Sequence, residues 1–445
     1  MAKMRSMLAG MVVAFTILAC GRAEPLEYSK ADQVSIIVSA TLTAFPTKSI
    51  AQSVSPEPFT AETDLPNIDT PSRLAYTDDG NVWLIEGDDP AVQLTFDGGA
   101  DRVVLSSDKS KIVFIRKPAE ENHSELRSIN VDGSADRLLL SVDELNGLYP
   151  MEAGMAGIEI SLLAFVYGTH DLLFNTFILF EGPGLIKNDD LLRIDSDSGK
   201  LTTILSIGEG GDFAISPNGI QVAVVQPDRI GLINSGGNNH HPDLLAYPPV
   251  ATYSEFRYYA QPVWAADSNA LGVAIPSADP LAEDVSGSLW LIPLNGDRAI
   301  NVGSIDGDFY FTQVFSAPGL SPALDRVVFL RNRLEDRQEL HIANLDGSDD
   351  NLYLEDVIIN WQGWSPLGSR FTFSLSEPLN VILGEEGEEP QALPMGMNLQ
   401  WVSETEYYYL SGSRGDWEIR KGEVGGRSIP IVSPRGDFIS FDVIP

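Results

Sequence analysis

The sequence predicts an all-β fold in which four-stranded units repeat and close into a ring. Three observations lead there. The phrase LRSINVDGSADRLLL, Leu126 to Leu140, returns as LHIANLDGSDDNLYL, Leu340 to Leu354, with Asp132-Gly133-Ser134 aligned on Asp346-Gly347-Ser348. A second phrase, a turn followed by an apolar strand, recurs as LSSDKSKIVFI from Leu105, ISPNGIQVAVV from Ile215, LSPALDRVVFL from Leu320, WSPLGSRFTFS from Trp364 and VSPRGDFISFD from Val432. The two phrases alternate from Arg73 to the end of the chain, and a sheet-forming unit repeated at this period is the mark of a β-propeller.

Each half of the unit has a physical reason. In the turn phrase, proline pre-sets φ and donates no hydrogen bond, while Asn-Gly or Arg-Gly tolerates positive φ. The alternation of β-branched and aromatic residues that follows suits a strand packed on both faces. In the other phrase, Asp-Gly or Ser-Gly reverses the chain between two short strands. Weaker turn phrases from Val166, Trp264 and Trp401 bring that set to eight. The hairpin set is also eight, with copies from Asn81, Leu126, Asp190, Ile230, Leu289, Leu340, Leu379 and Trp417.

Successive turn phrases lie 31 to 61 residues apart, so some blades carry insertions, at Tyr149 to Gly157, Tyr247 to Glu255 and Pro276 to Ser286. The repeat opens on a hairpin phrase and ends on a turn phrase, so the C-terminal strands complete the N-terminal blade and hide its edge. RLAYT, Arg73 to Thr77, competes with FISFD, Phe438 to Asp442, for one strand position. The expectation is eight blades, with seven as the alternative.

The pairing of Ser-Pro-x-Gly and an apolar strand with a strand ending in Asp-Gly resembles the TolB-type propeller repeat, over Arg73 to Pro445. Residues 105–140 and 320–354 match best, and the blade near Val166 departs by lacking Ser-Pro. The resemblance implies a propeller. It leaves activity open, because the repeat serves in periplasmic scaffold proteins, in lyases and as the gating domain of prolyl oligopeptidase-like peptidases.

Ahead of the repeat, Lys3 and Arg5 precede an apolar run from Leu8 to Ala19, which is too short for an ordinary transmembrane helix and has the length of a signal-peptide core. ILAC, Ile17 to Cys20, resembles the bacterial lipobox, in which a small residue before the cysteine permits cleavage and the thiol receives diacylglycerol. Cys20 is the only cysteine in 445 residues, which excludes an intrachain disulfide and a thiolate metal cluster. The expected organisation is a signal peptide over 1–19, a flexible Ser/Thr/Pro-rich tether over 20–71 with a weakly signalled helix near Gln33 to Leu42, and the propeller over 72–445. Acylated Cys20 would hold the protein in the cell envelope, on the extracytoplasmic side of a bacterial membrane.

The formal charge of −34 argues against nucleic acid, because such a surface repels phosphate backbones. No Gly-x-Ser-x-Gly string marks a hydrolase elbow. His240-His241 falls in a polar loop, and His123, His170 and His341 sit at or near strand positions as packing residues. Asp195 to Gly199, DSDSG, reads as a turn that lacks the further ligands of a calcium loop. Arg414-Gly415-Asp416 and Arg435-Gly436-Asp437 also fall at turns. Trp264, Trp364 and Trp401 share one slot at the turn phrase, as inter-blade packing residues would.

No residue is therefore assigned as catalytic, cofactor-binding or metal-binding, and no cofactor is expected. The expected role is a monomeric binding or scaffold module, with a protein, peptide or glycan ligand on a propeller face formed in part by the insertions. The competing expectation is a hydrolase or polysaccharide lyase working in the funnel, or a sensor domain of a larger assembly.

Overall fold

The computed structural model describes residues 71–118, 123–182, 185–254, 256–282, 285–307, 317–332, 337–375, 380–394 and 396–445. Cys20 and the expected signal peptide, helix near Gln33 and tether up to residue 70 lie outside the described residues.

The chain forms eight β-sheet blades in a ring, a β-propeller. Blade 2 shows the pattern, with Ala100–Leu105, Lys111–Arg116, Glu125–Asn130 and Arg137–Leu140 as consecutive antiparallel neighbours. The last strand of a blade is its most exposed, as in His241–Ala246 and Asn351–Asp356, so it lies outermost and the first strand lines the centre. Blade 6 shows three strands among the described residues, with the Leu320–Val327 bridge in the position of a fourth. Blade 3 is the tallest, with Met155–Phe165 and Asp171–Phe180 running past the others and a short strand, Leu185–Lys187, added beside them. The one helix among the described residues is Val142–Asn146, capped reciprocally by Ser141 and Glu144. No helix among them is long and apolar enough to cross a membrane.

The repeated phrases recur because they solve one local problem in each blade. Asp132 Oδ1 accepts from the Ser134 amide at 2.9 Å, and Asp346 Oδ1 accepts from the Ser348 amide at 2.9 Å, each carboxylate holding its own turn. Glycine is required between them: φ is +82° at Gly347, and a Cβ there would sit 2.2 Å from the Ser304 carbonyl oxygen. In the turn phrase the serine is buried, and its hydroxyl accepts the amide five residues on, Lys111 for Ser106, Gln221 for Ser216, Arg326 for Ser321 and Arg370 for Ser365. A buried amide that the tight turn would leave unpaired is thereby satisfied.

Each blade is buried against its neighbours. Val113, Ile115 and Leu126 of blade 2 form one cluster with Ile160, Leu172 and Phe174 of blade 3. Tryptophans bridge neighbouring blades as expected: Trp264 Nε1 donates to the Ala214 carbonyl at 3.0 Å and Trp364 Nε1 to the Gly319 carbonyl at 2.9 Å.

Closure differs from the sequence expectation in one detail. Arg73–Asp78 and Phe441–Ile444 do not compete for one position; they pair side by side, Arg73 with Ile444 and Tyr76 with Phe441. The last turn phrase is the reason. Ser433-Pro434 does not join two strands of one blade but carries the chain from the outer strand of blade 8, Ile429–Val432, to the inner strand of blade 1. Blade 1 thus takes three strands from the start of the repeat and one from the end, and the eight-bladed count holds.

Candidate functional site

Antiparallel order puts alternate connections at opposite ends of a blade. Links from second to third strand, and from one blade to the next, share one face of the ring; links from first to second and third to fourth strand share the other. All three insertions fall on the first face. Residues 149–157 and 247–255 join blades, and residues 276–286 join the second and third strands of blade 5.

On that face the first insertion and the chain leaving the second are tied down at Asp190 and Asp189, which end the second-to-third connection of blade 3. Asp190 is fully buried and accepts from the Thr176 amide at 2.8 Å, the Thr176 hydroxyl at 2.7 Å and the Tyr149 hydroxyl at 2.8 Å. Asp189 accepts from the Tyr259 hydroxyl at 2.5 Å and from Arg257 Nη1 at 3.1 Å, which fixes the chain leaving the second insertion. Lys187 lies 4.3 Å from the Tyr259 ring centre and donates to Asp212 at 2.5 Å. The second and third insertions bond directly, through the Ala251 amide to the Ala278 carbonyl at 2.8 Å and the Tyr253 hydroxyl to Asp279 at 2.8 Å.

Burial pushes both carboxyls, Asp189 and Asp190, above their ordinary range, although the hydroxyl and amide donors oppose the shift. Burial likewise raises Tyr149 and Tyr259, and the carboxylates they face add to it. These groups spend their hydrogen bonds on holding the described parts of the first two insertions in place. Among its described residues this face exposes several large apolar side chains: Phe96 is 77% exposed, Tyr253 67% and Leu281 63%, with Met151, Ile207 and Val357 also exposed in connections of the same face. The opposite face exposes Tyr167, Ile220 and Leu367, each at a first-to-second turn.

That opposite face holds a cleft of about 330 Å³ lined by Asp108, Gly168, Thr169, His170, Asp171, Asp195 and Asp197. His170, expected as a packing residue, instead joins two blades. Its Nδ1 lies 2.7 Å from Asp197 Oδ2 in blade 3, and its Nε2 lies 3.0 Å from Asp108 Oδ2 in blade 2. Ser110 Oγ is also 3.0 Å from Nε2, which completes the outline of a Ser-His-Asp array. The array lacks the free base that such chemistry needs. Asp108 takes hydrogen bonds from Ser110 Oγ at 2.8 and 2.9 Å and competes for the same imidazole nitrogen. Burial lowers the imidazole's proton affinity, but Asp197 and Asp108 outweigh it and hold His170 above its ordinary value. An imidazole held between carboxylates of two blades acts as a clasp.

The other sequence candidates are placed as follows. His240 is an exposed loop residue, whereas His241 opens the exposed outer strand of blade 4. His341 is buried but is not a simple packing residue, since Asp350 lies 2.6 Å from Nδ1 and Glu339 3.0 Å from Nε2. His123 is partly exposed beside Glu159 at 3.6 Å. Asp195 Oδ1 accepts from the amides of Asp197 and Ser198, so DSDSG is a self-capped turn that also delivers Asp197 to the clasp. The two Arg-Gly-Asp strings meet, with Arg414 Nε donating to Asp437 at 2.8 Å. Among the described residues no group of three or more His, Cys, Asp or Glu is placed to hold a metal ion. Sequence reasoning missed Asp108, Asp189 and Asp190. The aspartate of SSDKS and the tandem pair in KNDD were visible, but their partners are far away in sequence.

No family model matches the chain, and no curated protein matches it. Among solved structures, it is similar to a prolyl endopeptidase at 12% identity, covering 78% of this chain and 50% of that one, with a TM-score of 0.47. The dipeptidyl peptidase 4 of Porphyromonas gingivalis gives 14% identity, 74% and 52% coverage and a TM-score of 0.49. TolB from Acinetobacter baumannii gives 13%, 63% of each chain and 0.30. The chain spans about half the length of the two peptidases it matches.

Proposed function

We propose that the chain is a lipid-anchored, extracytoplasmic propeller of TolB type that docks a protein partner on the face carrying the three insertions. The observation that carries this reading is the exposure of Phe96, Met151, Tyr253 and Leu281 on connections of one face, of which Met151's is bonded to buried Asp190 and those of Tyr253 and Leu281 to each other through Asp279. Exposed apolar side chains on pre-ordered loops lose little freedom on binding, so most of their burial counts toward affinity. The net charge of −34 favours a partner whose contact rim is basic, which speeds encounter and orients it.

Hydrolase and lyase readings need a free base or nucleophile. The Ser110–His170–Asp197 array resembles one in outline only, because Asp108 competes for Nε2. That argument favours the docking role.

The test is capture from detergent-solubilised host membranes with the wild-type chain and with Tyr253→Ser/Leu281→Ser and Phe96→Ser variants, read by mass spectrometry and then by titration of the purified partner. The reading expects one stoichiometric protein partner whose affinity falls at least tenfold in the variants while the melting temperature stays unchanged. Equal capture by all three proteins would overturn it.

A further inference from the structure

Arg102 stands in an unusual position for a cation in so acidic a protein. It lies on the inner strand of blade 2, Ala100–Leu105, one turn of chain after the connection from blade 1, and it is 9% exposed. Its Nη1 donates to the Ser161 carbonyl on the inner strand of blade 3 at 3.1 Å, so the guanidinium spans the seam between two central strands. It makes no ion pair with the described residues. The nearest acidic neighbours are committed elsewhere: Asp101 to Lys117 at 2.9 Å, and Glu159 to the Ser124 amide at 3.1 Å. Among the described residues Nε and Nη2 have no hydrogen-bond partner.

A guanidinium stays charged at any working pH, and burial works against that charge here although Asp101 and Glu159 attract it from beyond ion-pair distance. The cost is avoidable here, because glutamine or methionine would fill a similar volume. The two unpaired edges of the fork match one planar anion, since Nε and Nη2 together present parallel N–H groups to both oxygens of a carboxylate. Location agrees: the insertion-face end of the inner strands is where a ligand enters the centre of a ring.

We propose that Arg102 is the anchor of a ligand site at the blade 2–blade 3 seam, taking a carboxylate group through Nε and Nη2. The site stands independently of whether a protein docks on the insertion face. Its ligand is a small carboxylate, either a peptide acid or a sugar acid, and the two sources are separated by experiment.

The full chain is titrated calorimetrically in chloride-free buffer with N-acetylglycine, N-acetylglycinamide, galacturonate and inorganic phosphate, for wild type and for Arg102→Gln and Arg102→Lys. The proposal expects saturable binding of N-acetylglycine or galacturonate, with the stronger of the two naming the source, no binding of the neutral amide, and at least a tenfold loss in both variants. It also expects Arg102→Gln to melt no lower than wild type, because removing an unpaired buried charge relieves the folded state. Should Arg102→Gln fail to fold, the site is read on wild type from the Arg102 Nε–H NMR signal, which must shift with the acid and stay fixed with the amide. No carboxylate binding by wild type, binding of phosphate alone, or affinities unchanged by Arg102→Lys would each overturn the assignment.

Discussion

Asp442 Oδ2 accepts a hydrogen bond from the Leu105 amide at 2.7 Å, so the last strand of the chain is fastened to the inner strand of blade 2. Its other oxygen is buried without a partner, and burial pushes the carboxyl up to about 6 despite bonds from the Leu105 and Val443 amides. The folded state therefore holds this proton more tightly than the unfolded chain, whose carboxyl titrates near 3.8. The group's stabilising contribution is full below that value and is lost as pH rises through about 6. Asp442→Asn, which keeps an acceptor for Leu105, should flatten the melting-temperature profile between these two values and melt at least as high as wild type at neutral pH. Asp442→Ala orphans the Leu105 amide and should cost about 1–3 kcal/mol in chemical denaturation.

The His170 clasp has the same sign of dependence on a different window. Asp108 and Asp197 raise the imidazole above its ordinary 6.5, so its contribution is complete at lower pH and disappears as pH climbs through the raised value. Asp197 also pairs with Lys111 at 2.8 Å, and Asp108 takes bonds from Ser106 and Ser110, so both carboxylates sit below their ordinary range and stay ionised throughout. His170→Gln should lose about 1 kcal/mol in acid and progressively less toward alkaline pH, because the clasp is half exposed and screened. A difference independent of pH would show that His170 acts by packing alone.

The repeat was legible because its turns are local. Asp132 and Ser134, or Ser106 and Lys111, complete their bonds within five residues, so each blade must spell them out again. The same locality misled at Val432, where Ser433-Pro434 looks like every other turn phrase; only pairing across the whole chain, Tyr76 with Phe441, shows that it crosses between blades. The sites were illegible for the opposite reason. His170 meets Asp108 across 62 positions and Asp189 meets Tyr259 across 70, and no short-range pattern records which turns a ring will place side by side. Arg102 looks like any polar residue in a strand until its neighbour blade is in place.

Tyr149 offers a test of the insertion platform that leaves its outward surface intact. Its hydroxyl supplies one of three donors to Asp190, the other two coming from Thr176. Tyr149→Phe keeps the ring and should lower stability by about 1 kcal/mol, the net worth of a buried hydrogen bond. Limited proteolysis should then cut within residues 149–157 sooner than in wild type, with no change at the first-to-second turns of the opposite face. Unchanged cleavage would mean that the insertion is ordered by its other contacts.

The proposed membrane attachment depends on acylation of Cys20. A protein with a formal charge of −34 is repelled by anionic headgroups, so surface electrostatics cannot hold it there. Two acyl chains on one cysteine can, at roughly 0.8 kcal/mol per buried CH₂. In fractionated bacterial host cells, wild type should sediment with membranes and partition into the detergent phase of Triton X-114, and its N-terminal peptide should carry a diacylglyceryl mass. Cys20→Ser should move the protein to the soluble fraction with the propeller's melting temperature unchanged, because the substitution lies outside the repeat sequence from Arg73 to Pro445. Sedimentation of the Cys20→Ser protein with membranes would mean that a partner bound to the propeller holds it there, and the same fraction should then be emptied by Tyr253→Ser/Leu281→Ser.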